Sequence, residues 1–219
     1  MKRRTLDIIF SFGGVLFAAL LLTLGLVLRN QANFAKNYVR DQLSEQKITF
    51  TPVANLTAEE KQSAGLVTYA GQALTTGKQA EVYANEYIRL HLTEVNGGKT
   101  YAQTSTDSRA AAAAVTAAKT ANPNDPALTG LTATATALDA KVQTLFRGET
   151  LRGLLLTSYG FSIFGDRAAT AAFVTYLIAG LLALLSVAGL VHAFVTPKNR
   201  VVLAASVPKA EVAPEHAMA

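Results

Sequence analysis

Residues 168–195 form an apolar run with no Asp, Glu, Lys or Arg, in which His192 is the one side chain whose ordinary pKa lies near neutral pH. At about 1.5 Å of rise per residue, a helix over this run is roughly 40 Å long. A hydrocarbon core is about 30 Å thick, so the run is long enough to cross one with some tilt. A second run, residues 8–28, is uncharged and follows Lys2, Arg3 and Arg4. Its length exceeds the roughly 7–15 residues usual for the apolar part of a signal peptide, and Arg29-Asn30-Gln31 offers no small-x-small cleavage site. The expectation is an uncleaved anchor and a two-span chain.

The two runs divide the sequence into five parts. Residues 1–29 are a cytoplasmic N-terminus and first transmembrane helix, and 30–150 an extracytoplasmic helical domain. An interfacial elbow over 151–167 leads to a second transmembrane helix, 168–196, and a cytoplasmic tail, 197–219. Lys2, Arg3 and Arg4 flank the first run, and Lys198 and Arg200 the second, so the positive-inside rule places both termini in the cytoplasm of a multi-pass plasma-membrane protein. Arg29, at the outer end of the first run, goes against the rule, and a snorkelling side chain absorbs it. The formal net charge of +5 and the pI near 9.5 are carried largely by these flanks. The basic balance therefore does not point to nucleic acid, which would need a basic stripe with interleaved aromatics. The absence of cysteine excludes a disulfide scaffold and thiol chemistry.

After the first run, residues 30–46 lack Gly and Pro, so the membrane helix is expected to continue outward, ending near Lys47. Ile48-Thr49-Phe50-Thr51-Pro52 reads as an extended connector. Thr57 and Glu60 have the spacing of a capping box. A helix is expected from there, with Leu66, Ala70, Ala73 and Leu74 as its apolar stripe and Gly77 as its stop. A third helix spans 78–95, with Ala80, Tyr83, Ala84, Tyr87, Ile88, Leu90 and Val95 on one broad arc and Gly97-Gly98 ending it. Together these three make an antiparallel, up-down arrangement. Residues 103–136 are rich in Ala and Thr and poor in apolar bulk, so this part is expected to be a loosely packed, solvated spacer. It contains a turn at Asn122-Pro123-Asn124-Asp125-Pro126, after which Leu131, Leu138, Val142 and Leu145 mark a helix heading to the membrane. The elbow follows, interrupted by Gly153, Gly160 and Gly165 and held apart from the second span by Asp166-Arg167.

Two polar groups stand out. Glu149 and Arg152 are three residues apart on the stripe of Val142, Leu145 and Leu156, which suggests an ion pair pinning the elbow or a polar site at the base of the domain. His91 falls among Ala80, Ala84, Tyr87 and Val95 with Glu94 one turn on; a histidine beside a carboxylate could sense pH or bind a metal, but the expectation is a core histidine bonded to a tyrosine. His192 and His216 lie on other parts of the topology and cannot join it around a metal. Asn55-Leu56-Thr57 matches a glycosylation sequon, but Thr57 is already explained as a cap. No nucleophile elbow, phosphate loop, dinucleotide fingerprint or H-E-x-x-H is present, so no catalytic, cofactor-binding or metal residue is assigned.

The segments YVRDQLSEQKITF, YANEYIRLHLTEVNGGKTYA and FRGETLRGLLLTSYGFSIFG together resemble a group of actinobacterial two-span membrane proteins with a helical extracytoplasmic domain. That group brings no established activity. Similar sequences sometimes carry an aromatic ring-opening dioxygenase label, which implies two histidines and a carboxylate on one iron, and the three histidines here are divided by the membrane. The topology also resembles that of chemoreceptors and sensor kinases, but the two dozen or so residues after Thr196 leave no room for a kinase or signalling coiled coil.

The sequence thus points to a non-enzymatic accessory or scaffold subunit of a cell-envelope complex, with an extracytoplasmic ligand- or lipid-binding sensory module as the alternative. Its partners are the lipid bilayer and either another membrane protein or a second copy. No cofactor and no nucleic acid are expected.

Overall fold

A computed structural model of the chain describes residues 3–197. Lys2, Lys198, Arg200, His216 and nearly all of the expected cytoplasmic tail lie outside the described residues. The fold is all-α. The helices are α1 (Arg3–Glu45), α2 (Ala64–Tyr69), α3 (Gly77–Val82), α4 (Arg89–Val95), α5 (Tyr101–Ala121) and α6 (Leu128–Val195), with a longer connection of 3₁₀ turns, Val53–Asn55 and Glu60–Gln62, between α1 and α2. A π-helical turn, Tyr83–Ile88, runs α3 directly into α4. Among the described residues the only β pairing is an isolated antiparallel bridge, Thr49 to Ala73. The chain divides into two compact units, Met1–Leu28 with Thr170–Ala219, and Arg29–Ala169.

In the first unit, the start of α1 and the end of α6 pair as antiparallel helices. Arg4 lies over the ring of Phe194, Asp7 faces His192, Ser11 faces Gly189, Gly14 faces Ser186 and Gly25 faces Tyr176. One helix descends as the other ascends, without a slip in register. The contact is made by small residues: Ser11, Ala18, Ala172, Ala179, Ser186 and Ala193 are buried. On α6 these recur every seventh residue, the 3.5-residue repeat that keeps a seam facing a partner helix. Small side chains let the backbones approach closely, as between helices in lipid. A Cβ on Gly25 would meet the Tyr176 ring at 2.5 Å. Both α1 and α6 are long and apolar enough to cross a membrane.

In the second unit the rest of α1 and of α6 is joined by α2 to α5. Its core is Val39 and Leu43 of α1, Phe50, Leu66 and Leu74 from the connecting segments, Ala80 to Leu92 of α3 and α4, and Leu145 and Leu155 of α6. The extended connector is as expected, and its pairing locks it in place. Phe50 N–H donates to Gln72 O at 2.9 Å, and Leu74 N–H donates to Ile48 O at 2.9 Å.

The helix expected after Thr57 is cut short. The capping box forms, with Thr57 N–H donating to Glu60 Oε2 at 2.8 Å and Glu60 N–H to Thr57 Oγ1 at 3.1 Å, but it closes only a 3₁₀ turn, Glu60–Gln62. Ser63 then caps α2, which stops at Tyr69, and the chain turns back at Gly71, whose φ is +73°. Gly77 does not stop a helix but starts one, behind a capping box of Thr76 and Gln79. The competing caps Ser63 and Thr76 decide these boundaries, since each satisfies N–H groups that a longer single helix would leave to its own carbonyls.

The Ala-Thr region forms the helix α5, which turns at Asn122–Ala127 and returns along α6; Tyr101 at its start packs on Phe146 with ring centroids 5.8 Å apart. The interfacial elbow is absent as a separate element, because residues 151–167 lie inside the uninterrupted helix α6. Its glycines do not break the helix: Gly165 packs against Ala35 and Ala32 of α1, and Gly153 and Gly160 have open space around them. Tertiary contact and helical neighbours outweigh a glycine cost of about 1 kcal/mol each.

Candidate functional site

The helical stretch through Tyr83–Ile88 and α4 collects most of the polar chemistry of the second unit, on two faces. π-helical turns are frequent at functional positions because the extra residue re-aims the side chains around it.

One face carries a ladder of rings. Phe50 meets Tyr83 edge-on at 5.3 Å, Tyr83 stacks on Tyr87 at 4.7 Å, and Tyr87 meets the His91 imidazole edge-on at 4.6 Å. His91 is not a core histidine bonded to a tyrosine. Its side chain is 41% exposed, and its Nε2 lies 3.0 Å from Oε1 of Glu60, with Glu94 more distant at 3.8 Å from Nδ1. The capping box explains the choice of partner. Thr57 occupies Oε2 of Glu60, which leaves Oε1 as a carboxylate acceptor stronger than a phenol. Burial pushes the Glu60 carboxyl upward, but the Thr57 backbone N–H and the bond and charge of His91 together hold it below its ordinary value. Burial, then Tyr87 and Glu60, push the Tyr83 hydroxyl up. Sequence reasoning found Tyr87, His91 and Glu94 but missed Glu60, although the capping-box spacing had already singled it out.

The other face meets α6. Arg152 donates to Glu149 Oε2 at 3.2 Å and to Asn85 Oδ1 at 3.1 Å, so the expected pair exists and gains a third member. Glu149 is 45% exposed and Arg152 27%. Asn85 also turns its carbonyl to Arg89 Nε at 2.9 Å. A cleft of about 650 Å³ opens beside it between α4 and the 62–65 segment, with Glu86 and Arg89 in its wall. Ser63 donates to Glu86 across it, and Gly65 is pressed so closely on Glu86 and Val82 that a Cβ would collide with both.

A separate groove of about 370 Å³ lies between α1 and the start of α3, lined by Arg29, Lys36, Arg40 and Lys78 and by a single carboxylate, Asp166. Arg40 pairs with Asp41 and Lys78 with Glu81, whereas Arg29 and Lys36 have no ion partner among the described residues. The bond to Glu81 raises the Lys78 ammonium above its ordinary value. The described residues contain no group of three His, Cys, Asp or Glu placed to hold a metal ion. Comparison with protein-family models, curated proteins and solved structures returns no match.

Proposed function

We propose that the protein is a two-span membrane protein with an extracytoplasmic helical domain, acting without catalysis as an accessory or scaffold subunit of a cell-envelope complex. The observation that carries the membrane placement is the exposure of the paired apolar segments. The most apolar windows of α1 and α6 are only 17% and 11% buried. The two helices cover each other along a small-residue seam, and large side chains such as Phe10, Phe12, Leu184 and Phe194 face outward. An apolar surface of that extent is stable only against lipid or another protein.

The scaffold role is supported by how the polar groups are used. Glu60 with His91, Glu86 with Ser63, and Arg152 with Asn85 and Glu149 are each committed to bonds that tie one segment of the domain to another. Mild detergent extraction from native membranes followed by native mass spectrometry tests this role. The expected result is an assembly larger than one chain, and a free monomer throughout would remove the scaffold reading.

The groove of Arg29 and Lys36 favours a second reading, that the domain binds an anionic ligand or lipid and passes the information to a partner. Thermal shift of the full chain in detergent against lipids and small anions tests it, and a flat response would dismiss it.

A further inference from the structure

We infer that the groove bounded by Arg29, Lys36, Arg40 and Lys78 receives the phosphodiester headgroup of an anionic lipid in the outer leaflet; this rests on the membrane placement proposed above. Three observations converge on it. First, Arg29 and Lys36 are exposed into the groove with no ion partner among the described residues, while Arg40 and Lys78 beside them are already paired with Asp41 and Glu81, and Asp166 is the one carboxylate in the lining. Arginine presents a planar fork to phosphate oxygens and lysine a point charge, so the pair suits a phosphate better than a compact cation or a neutral ligand. Second, the groove has the size of a small-molecule site, about 370 Å³. Third, Arg29 directly follows Leu28, the last residue of the first apolar run, so in a bilayer it stands at headgroup depth. A bound headgroup also accounts for a cation on the side of the membrane where the positive-inside rule disfavours one. Each cation near a membrane surface contributes about fivefold to the attraction for an anionic lipid.

The full chain, purified in mild detergent, is titrated with phosphatidylglycerol, phosphatidylcholine and inorganic phosphate in turn, and bound adducts are counted by native mass spectrometry. Phosphatidylglycerol should bind in preference to phosphatidylcholine. Arg29→Gln and Lys36→Gln should each weaken it about fivefold, with melting temperatures unchanged because both side chains are exposed. Arg109→Gln, which removes an exposed cation elsewhere on the domain, should leave it intact.

Equal binding of the two lipids, binding of inorganic phosphate alone, or an equal loss in Arg109→Gln would each overturn the headgroup site. Reconstitution into phosphatidylcholine vesicles separates the two levels of the argument. A chain that inserts but shows no preference for phosphatidylglycerol defeats only the headgroup inference, and one that stays soluble without detergent defeats the membrane reading itself.

Discussion

Nε2 of His91 sits 3.0 Å from Oε1 of Glu60, a residue 31 positions earlier whose other oxygen closes the Thr57 capping box. One buried carboxylate therefore fastens the 57–63 turn to α4. Because its pKa is held below the ordinary value near 4.5, its contribution to stability is complete above that value and is lost as the pH falls through the lowered one. The melting temperature of the full chain in detergent should fall on acidification below about pH 4.5. Glu60→Gln, which cannot titrate, should be less stable at neutral pH by about 1–3 kcal/mol and show a flatter acid limb. An unchanged acid limb in that variant would mean that other carboxylates govern the response.

The glycines of α6 offer a test of its continuity. Gly153→Ala and Gly160→Ala place a methyl group in open space and should each stabilise the chain by about 0.5–1 kcal/mol. Gly165→Ala brings Cβ to 2.9 Å from Cβ of Ala35, with no flexible side chain to yield, and should cost about 1–3 kcal/mol. Thermal melts of the three variants check the ordering. If residues 151–167 bent as an elbow, alanine at 153 or 160 would stiffen the bend and destabilise instead.

Arg152 holds two partners and Glu149 one, which predicts an asymmetry. Glu149→Leu should cost under about 1 kcal/mol, the range of a half-exposed pair. Arg152→Leu should cost more, about 1–3 kcal/mol, because it also strips Asn85 Oδ1 of its donor. The double variant should match Arg152→Leu alone. Equal costs for the two single variants would show that the Asn85 bond contributes nothing.

Amide exchange should be faster over residues 110–121 than over 78–95. In α5 the one buried residue is Thr104, whereas α3 and α4 with the turn between them bury Ala80, Val82, Ala84, Ile88 and Leu92. Local opening follows the apolar contact that must be broken. Equal protection by hydrogen-exchange mass spectrometry would show that the α5–α6 hairpin is as firmly docked as the core.

The sequence alone determined the features that depend on length and local chemistry. The apolar runs at 8–28 and 168–195 marked the two long helices, the lack of Gly and Pro carried α1 on to Glu45, and Gly97-Gly98 ended α4 with positive φ at both residues. The Thr57–Glu60 box was equally legible, because its partners are three residues apart.

Only the tertiary structure decided what depends on residues far apart in the chain. Gly77 begins a helix because Thr76 caps it, and α6 runs unbroken past seven glycines because helical packing and tolerance of open space outweigh their cost. His91 turned to Glu60 rather than to a tyrosine, and Arg152 found Asn85 67 positions away. Glycine and the ionisable side chains have weak intrinsic preferences, so their roles are set by whichever neighbour the fold brings within hydrogen-bond or van der Waals reach. Apolar runs and adjacent caps carry their information within a few turns, where the sequence already places every partner.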